Sequence, residues 1–322
     1  MPAIETDGLT KQFGGDVLAV DDLDLTVEEG EVFGFLGPNG AGKSTTINML
    51  LDLTRPSSGS ATVLGHDAQA ESQAIRERIG VLPEGYDLYD RLSGRKHVRF
   101  AIRAKDVDGD PDEILARVGL DSGDWDRDVG GYSKGMKQRL AVGMALVGDP
   151  DLLILDEPSS GLDPTGIGEV QELVRTEADR GTAVFFSSHI LSEVEAVCDR
   201  IGVLNEGELV GVGTIEELQS EFAGDAQLIL SLDTVPGAVD SLPGLDGVSD
   251  ATVDGKTVTV YCADPEAKAR AINHLEHAGA TVRDIGVQDY ALEEIFAELT
   301  GNGDDEKPDD GATPRTPREV EA

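Results

Sequence analysis

Residues 37–45 read Gly37-Pro38-Asn39-Gly40-Ala41-Gly42-Lys43-Ser44-Thr45, which fits the pattern of a glycine, four residues, and then Gly-Lys-Ser/Thr. An apolar run over residues 32–36 leads into this loop, and apolar residues at helical spacing follow it. In such a strand–loop–helix unit, backbone N–H groups converge on phosphates and the helix directs its positive end at them. A plain glycine-rich turn is the alternative, but the flanking strand and helix favour a phosphate site. We therefore expect residues 37–45 to bind a nucleoside triphosphate, with Lys43 at the β- and γ-phosphates and Ser44 on Mg²⁺.

The charge balance of the chain is strongly acidic. It has 322 residues with 63 acidic against 26 basic side chains, and its formal net charge is −37. The length predicts two domains, and the charge argues against a nucleic-acid partner, which would be repelled. The acidic residues are spread along regular apolar segments, which argues against general disorder. This bias is similar to that of proteins from salt-loving microbes, and it predicts an origin in a halophilic archaeon, where charge maintains solubility.

The cysteines and the lengths of the apolar runs indicate the cellular compartment in which the protein is expected. Cys198 and Cys262 have no second pair of metal-type ligands beside them, so we expect two reduced thiols in a cytosolic protein. The N-terminus has neither the basic start nor the apolar core of a secretory signal. No apolar run approaches the roughly 18 residues that a membrane-spanning helix needs. Any membrane part is therefore expected in another chain.

Polar residues follow two apolar runs further along the chain. Residues 152–155 are followed by Asp156 and Glu157, and the mostly apolar run over residues 182–188 is followed by His189. Such runs are typical of strands buried on both faces of a parallel sheet. Because strands alternate with helical segments, we expect an α/β sheet that carries these acids and the histidine at the carboxyl ends of its strands.

The remaining segments predict further elements. Ser133 is a candidate N-cap for a helix that runs to Val147. We also expect a short strand over Ala3–Thr6, a helix from about Gly168 to Asp179, and a hairpin across residues 205–207. Phe13 is a candidate to stack on adenine, although a lone phenylalanine is more often a core residue.

The C-terminal third differs in character from the rest. Residues 225–300 alternate between strand and helix patterns and end in a predicted helix over Leu292–Leu299, so we expect a small α+β domain. Residues 301–322 are rich in Asp, Glu, Pro and Gly with almost nothing apolar, which predicts a disordered acidic tail.

Five segments, in this order, resemble the ATP-binding cassette of ABC transporters. They are residues 37–45 (Walker A), Tyr132-Ser133-Lys134-Gly135-Met136 (the family signature), residues 152–157 (Walker B and the catalytic Glu), Gly161-Leu162-Asp163-Pro164 (D-loop) and His189 (the switch histidine). The resemblance covers about residues 3–222, and residues 225–300 resemble the small C-terminal domain of many ABC-2-type exporter cassettes. It implies a P-loop NTPase cassette with a mixed sheet core and a helical subdomain at about residues 85–148, inside an ATP-binding domain of residues 1–223.

The resemblance also implies roles for the site residues. Ser44 and Asp156 would hold Mg²⁺, together with Glu84 at the Q-loop position. Glu157 would be the general base, and His189 would touch the γ-phosphate and orient the water. Ser133, Lys134, Gly135 and Asp163 would serve the ATP of a second copy or a homologous cassette. We therefore expect an ATPase subunit that dimerises on ATP and powers export through a separate ABC-2-type permease, at the cytoplasmic face of the cell membrane.

Two parts of the chain depart from the general family pattern. Lys134 and Met136 stand where the broad consensus has Gly and Gln, and Glu84 replaces the Q-loop glutamine; both variants are similar to many ABC-2-type cassettes. The alternatives are a soluble ABC protein of DNA repair or translation, which should carry a coiled-coil insertion or a second cassette, and a P-loop kinase, which should lack the signature. The segments resemble the cassette of a copper-related exporter, and they resemble drug and sodium exporter cassettes nearly as well, so the substrate stays open.

Overall fold

The computed structural model describes residues 1–15, 17–222 and 226–288, together with Phe296 and Thr300. The predicted disordered tail over residues 301–322 lies outside the described residues. The same holds for the predicted final helix over residues 292–299, apart from Phe296.

The described residues form strands and helices that alternate through most of the chain. The strands are β1 Ile4–Phe13, β2 Val17–Val27, β3 Val32–Leu36, β4 Ser58–Val63, β5 His66–Asp67, β6 Ile79–Leu82, β7 Leu152–Asp156, β8 Ala183–Ser188, β9 Arg200–Asn205, β10 Glu208–Gly213, β11 Ala226–Leu232, β12 Val248–Asp254, β13 Thr257–Cys262 and β14 Val282–Gln288. The helices are α1 Lys43–Leu50, α2 Ser72–Arg78, α3 Gly94–Lys105, α4 Pro111–Arg117, α5 Lys134–Ala145, α6 Pro164–Ala178, α7 Leu191–Glu195, α8 Ile215–Phe222 and α9 Pro265–His277, with 3₁₀ helices at Val129–Gly131 and Gly237–Gly244.

A six-stranded sheet forms the centre of the ATP-binding part, in the order β10-β9-β3-β8-β7-β6. The strands from β9 to β6 are parallel, and β10 joins the edge as the second strand of a hairpin with β9. Every residue of β3, β7 and β8 is buried, which explains their near-continuous apolar sequences. Because parallel strands end at one edge, the segments that follow β3, β7 and β8 meet there, and these segments carry the predicted site.

A second, antiparallel sheet has the order β2-β1-β4-β5. Its buried residues share a core with one face of the central sheet, where the rings of Phe35 and Phe185 lie 5.2 Å apart between centroids. The prediction of a short first strand over Ala3–Thr6 was wrong, since β1 continues to Phe13. Register shifts between Thr6 and Leu9 and beyond interrupt the two-residue alternation from which strands are predicted.

Helices α3, α4 and α5 form the helical part, within the range of about residues 85–148 predicted for it. They pack around buried apolar residues such as Val98, Leu115 and Leu140, against the other face of the central sheet. As predicted, Ser133 caps α5, because its Oγ accepts a hydrogen bond from Met136 N at 3.2 Å. The prediction that α6 begins near Gly168 was wrong. The helix begins at Pro164, with Asp163 as its N-cap, which is the usual place for proline in a helix.

Residues 226–288 form an antiparallel sheet in the order β12-β13-β11-β14, with its own core of residues such as Leu228, Leu230 and Leu275. Strand β12 was not predicted, because most of its side chains are exposed and polar. The predicted domain boundaries at residues 223 and 225 fall on residues outside the description and stay predictions. In the part of the chain that the structure describes, no helix is both long and apolar enough to cross a membrane.

Candidate active site

The loop over residues 37–45 turns tightly between β3 and α1, and its glycines make that path possible. Gly42 has φ 113°, and a Cβ there would lie 2.3 Å from the Ala19 carbonyl oxygen. A Cβ on Gly37 would lie 2.4 Å from the Leu204 carbonyl oxygen. The loop is therefore held against β2 and β9, and a side chain at either glycine would push it out of place.

Lys43 is the first residue of α1, and its ammonium folds back into the loop. Its Nζ donates to the Gly37 carbonyl oxygen at 2.6 Å and to the Pro38 carbonyl oxygen at 3.3 Å. The side chain is only 6% exposed and pairs with Glu157, whose Oε1 lies 3.2 Å from Nζ. A buried ammonium in a ring of backbone oxygens is placed to receive phosphate oxygens. Around it, Asn39 and Gly40 are exposed, Ala41 is buried, and Ser44 and Thr45 are half-buried in the first turn of α1.

Asp156 and Glu157 follow β7 and are joined by a serine from the next strand. Ser187 Oγ donates to Asp156 Oδ1 at 2.6 Å and accepts a hydrogen bond from Glu157 N at 3.0 Å. Glu157 has φ 49°, a conformation that non-glycine residues rarely adopt and that often marks functional sites. Sequence analysis missed Ser187; its only signal is a polar residue at the end of an otherwise apolar strand.

The carboxylate of Glu157 lies between a lysine and a histidine. Its Oε1 faces Lys43, at a distance and angle that make an ion pair but no hydrogen bond, and its Oε2 lies 2.8 Å from His189 Nδ1. The Glu157 side chain is 8% exposed, whereas that of His189 is 40% exposed. A carboxylate held in this way can accept a proton from a bound water, and the open side of the histidine can face that water.

The other predicted residues border the same edge of the sheet from the helical part and from α6. Lys134 is exposed and its Nζ packs on Gly161, where a Cβ would lie 2.0 Å away. Lys134 and the exposed Glu84 line a cleft of about 450 Å³ together with Asp156 and Glu157. The structure thus brings Lys134 of the chain near its own Asp156 and Glu157.

Four other predicted residues lie at helix starts or at a strand end. Ser133 and Gly135 stand at the N-terminus of α5, and Asp163 caps α6 through a 3.0 Å hydrogen bond from Gly166 N. Phe13 ends β1 with its ring 44% exposed, so it is not a core residue, and Lys11 Nζ lies 4.9 Å from the ring centroid. Stacking of this ring on adenine stays a prediction.

The family model, the relatives and the solved structures that this chain resembles all belong to one family. The family model described as ABC transporter matches residues 20–160. A daunorubicin resistance ATP-binding protein from Streptomyces coeruleorubidus is 38% identical over 308 residues, which covers 93% of this chain and 96% of the relative. A linearmycin resistance ATP-binding protein from Bacillus subtilis is 33% identical over 317 residues, with 92% and 98% covered. The solved structure of an ATP-binding subunit of an ABC transporter superposes with a TM-score of 0.61 at 29% identity, covering 68% of this chain and 93% of that one.

Proposed function

Since the chain belongs to the family of ABC transporter ATP-binding proteins, we propose that Lys43, Asp156, Glu157 and His189 form the site at which it hydrolyses ATP. The chain is the ATP-binding and ATP-hydrolysing subunit of an ABC transporter. The observation that carries the assignment is the position of Glu157, 3.2 Å from Lys43 Nζ and 2.8 Å from His189 Nδ1. Burial keeps this carboxylate away from bulk water, and its two neighbours fix its direction.

Lys43, Glu157 and His189 each act on a different part of the hydrolysis reaction. The amides of residues 37–45 and the ammonium of Lys43 bind the β- and γ-phosphates and offset their charge as it shifts in the transition state. Glu157 accepts the proton of the attacking water, and His189 orients that water against the γ-phosphate. Ser187 supports this arrangement, because its hydroxyl holds both the Asp156 carboxylate and the backbone of Glu157.

The donor set fits Mg²⁺ bound mainly through the substrate. Magnesium is usually held by one or two carboxylates together with phosphate oxygens and waters. Among the described residues there is no cluster of three or more His, Cys, Asp or Glu that could hold a metal by itself. Asp156 and the Ser44 hydroxyl would hold the ion, with Glu84 as a further ligand. When bound, Mg²⁺ neutralises phosphate charge and orients the γ-phosphate.

A second cassette completes each site in this proposal. Ser133, Lys134 and Gly135 stand at the N-terminus of α5, where backbone N–H groups and the helix dipole favour an anion. They would bind the γ-phosphate of ATP held by a second copy of this chain or by a homologous cassette, and Asp163 would border that same site. The exposure of Ser133, Lys134 and Asp163 supports such a role.

An apolar groove beside the nucleotide cleft is the proposed contact with an ABC-2-type permease. The groove has a volume of about 490 Å³, and its lining includes Leu53, Val81, Phe100 and Met144. Leu53 and Phe100 are 67% and 62% exposed, which is unusual for large apolar side chains. The segment over residues 83–88 borders both the groove and the cleft. A permease helix seated in the groove would therefore press on residues that line the catalytic cleft, on the cytoplasmic side of the membrane.

The names of the relatives favour one class of transported compound. Two of them are named for resistance to daunorubicin and to linearmycin. We propose that the transporter exports an organic compound of drug type, in preference to the copper-related or sodium cargo left open by the sequence. The soluble DNA repair or translation alternative has no support in these comparisons. The acidic charge further supports an origin in a halophilic archaeon.

Co-purification with a permease tests the proposed partner. The chain is expressed together with a candidate permease, a membrane protein with several apolar spans, as wild type and as Phe100→Asp. The substitution should abolish co-purification and leave ATP hydrolysis by the isolated chain intact, because a charge in the groove opposes the seating of an apolar helix. Val253→Asp, at a 49% exposed valine of β12, is the matched control and should co-purify normally. Normal co-purification of Phe100→Asp would contradict the groove assignment.

A further inference from the structure

A buried carboxyl group lies behind the proposed catalytic residues and has no role in the steps above. Glu193 stands on the short helix α7, which follows His189, and it is only 5% exposed. A buried acid is costly to the fold unless its oxygens find partners. The groups near its two carboxyl oxygens therefore indicate the role of Glu193.

One carboxyl oxygen of Glu193 holds the residue that precedes His189. Glu193 Oε2 accepts a hydrogen bond from Ser188 Oγ at 2.8 Å. Ser188 Oγ also accepts from Ile190 N at 3.0 Å, and the Ser188 carbonyl oxygen accepts from Gly37 N at 3.2 Å. Glu193 is thus tied to the segment that carries His189 and, through Ser188, to the start of the phosphate loop.

The other carboxyl oxygen faces the segment that follows Glu157. Glu193 Oε1 and Ser159 Oγ are both buried, and neither has a hydrogen-bond partner in this arrangement. Ser159 is among the groups that act on Glu193, since its hydroxyl lowers the pKa of the carboxyl group against the larger, opposite effect of burial. Ser159 lies between Glu157 and Asp163, and its carbonyl oxygen accepts from Leu162 N at 3.0 Å. A small movement of either segment would join two orphaned polar atoms.

We propose that Glu193 is a positioning residue, whose carboxyl group bridges Ser188 and Ser159 and so sets the spacing between the segment with His189 and the segment with Glu157. The proposal rests on the proposed function of Glu157 and His189. Burial raises the pKa of Glu193 above its usual value. Either form of the carboxyl group can serve both hydroxyls, because each oxygen accepts a hydrogen bond and the neutral form can also donate one. The bridge to Ser188 is present in this structure, and the bridge to Ser159 forms in the catalytically competent arrangement.

The bridge should affect turnover more than substrate binding. ATP is held by the phosphate loop, and Glu193 reaches that loop only indirectly, through the backbone hydrogen bond between Ser188 and Gly37. The reaction requires that Glu157 and His189 meet one water at the correct distance, and small misplacements of reacting groups are costly. Loss of the bridge should therefore lower kcat and leave KM for ATP nearly unchanged.

Steady-state kinetics of three variants in the full chain test this. Glu193→Leu, similar in volume but without hydrogen bonds, should lower kcat by at least about tenfold, with KM for ATP within roughly twofold of wild type. Glu193→Gln can still bridge the two hydroxyls and should retain at least about a third of kcat. Ser159→Ala removes one end of the bridge and should also lower kcat, and adding it to Glu193→Leu should cause no further loss.

Controls separate positioning from general loss of stability. Thr6 is a matched buried polar residue far from the site; its Oγ1 donates to the Leu23 carbonyl oxygen at 2.8 Å. Thr6→Val should lower the thermal midpoint without changing kcat.

The proposal is overturned if Glu193→Leu or Ser159→Ala turns over like wild type, if Glu193→Gln is as slow as Glu193→Leu, or if KM changes as much as kcat. Should Glu193→Leu fail to fold, Ser159→Ala carries the test alone. Failure of the proposed function would be recognised separately, because Glu157→Gln would then still hydrolyse ATP.

Discussion

At the scale of single residues, the site depends on a few charged groups that are held by the backbone. Lys43 is the strongest example, because its ammonium has two carbonyl partners and one carboxylate in a nearly closed space. When phosphates enter, the same ammonium can bind them in the ground state and in the transition state.

Replacing Lys43 by Ala should weaken ATP binding and hydrolysis together. Loss of a hydrogen bond to a charged group costs about 1.5–3 kcal/mol, which corresponds to roughly 10- to 100-fold in the dissociation constant. Isothermal titration with ATP and a phosphate-release assay measure the two quantities. Lys256→Ala, in the exposed turn between β12 and β13, should behave as wild type. A binding curve for Lys43→Ala that coincides with wild type would contradict the role given to this lysine.

The residues of the site differ in how well sequence predicts them. Lys43, Glu157 and His189 could be predicted because each follows a buried strand or lies in a glycine-rich pattern. Ser187 and Glu193 could not, since a single polar residue in a buried strand or a short helix has no characteristic spacing. The left-handed conformation of Glu157 is also invisible in sequence, because glutamate rarely adopts it.

Glu193 should make stability depend on pH. Its pKa in the fold lies above the usual 4.5, mainly because it is buried, and the charge of Glu157 raises the pKa further while His189 lowers it. The stability that the neutral carboxyl contributes is present below pH 4.5 and is lost as pH rises through the raised pKa. Glu193→Gln should therefore raise the thermal midpoint at about pH 8, with a gain that shrinks toward about pH 5. The control Glu208→Gln, at the exposed first residue of β10, should show no such trend, and an equal gain at both pH values would refute the explanation.

At the scale of elements, a cluster of ion pairs connects the helical part (α3, α4 and α5) to helix α6. Arg117 on α4 binds both carboxylate oxygens of Glu177 on α6 and also pairs with Asp149. Glu177 is fully buried, and Arg180 is its other partner, at 3.0 Å. Glu177 and Asp149 together raise the pKa of Arg117, so the guanidinium stays charged. Helix α6 begins at Pro164, directly after its N-cap Asp163, so this cluster connects the helical part to the element that follows Asp163.

Arg117→Ala should be strongly destabilising, because it leaves Glu177 buried with only Arg180 to offset its charge. Breaking a buried pair in this way costs about 3 kcal/mol or more, which lowers the thermal midpoint by several degrees. Arg95 on α3 is the matched control: it pairs with Asp112 and Asp126, which are 40% and 72% exposed. Arg95→Ala should cost clearly less than Arg117→Ala, because exposed ion pairs contribute little to stability. Thermal denaturation measures the loss of stability in each variant. If the two variants lose the same stability, burial of Glu177 is not the cause of the loss.

Elements also show why some boundaries could be predicted and others could not. Strands β7 and β8 were predicted closely because both of their faces are buried and their sequences are almost wholly apolar. Strand β1 was predicted too short because its register shifts break the alternation. The start of α6 was placed four residues late, although Asp163-Pro164 is a typical N-cap followed by proline.

At the scale of the whole molecule, the net charge of −37 should make stability and activity depend on salt. Salt screens the repulsion among the acidic side chains, and the screening length falls to about 3 Å at 1 M. Salt also weakens the attraction between Lys43 and phosphate, but that contact is buried and is screened less. The thermal midpoint and the ATPase rate should both rise between about 0.1 and 3 M potassium chloride. If both are highest at the low end, the acidity has another cause, such as a basic partner.

The central claim is that Glu157 accepts the proton of the attacking water in an ATP-bound dimer. The most direct measurement follows Glu157→Gln with ATP and Mg²⁺, recording phosphate release and molecular mass in the same sample. Because the carboxamide cannot accept the proton, hydrolysis should fall by at least about 100-fold while ATP stays bound, and the variant should accumulate at twice the mass of one chain. Near-normal phosphate release by Glu157→Gln would contradict this account.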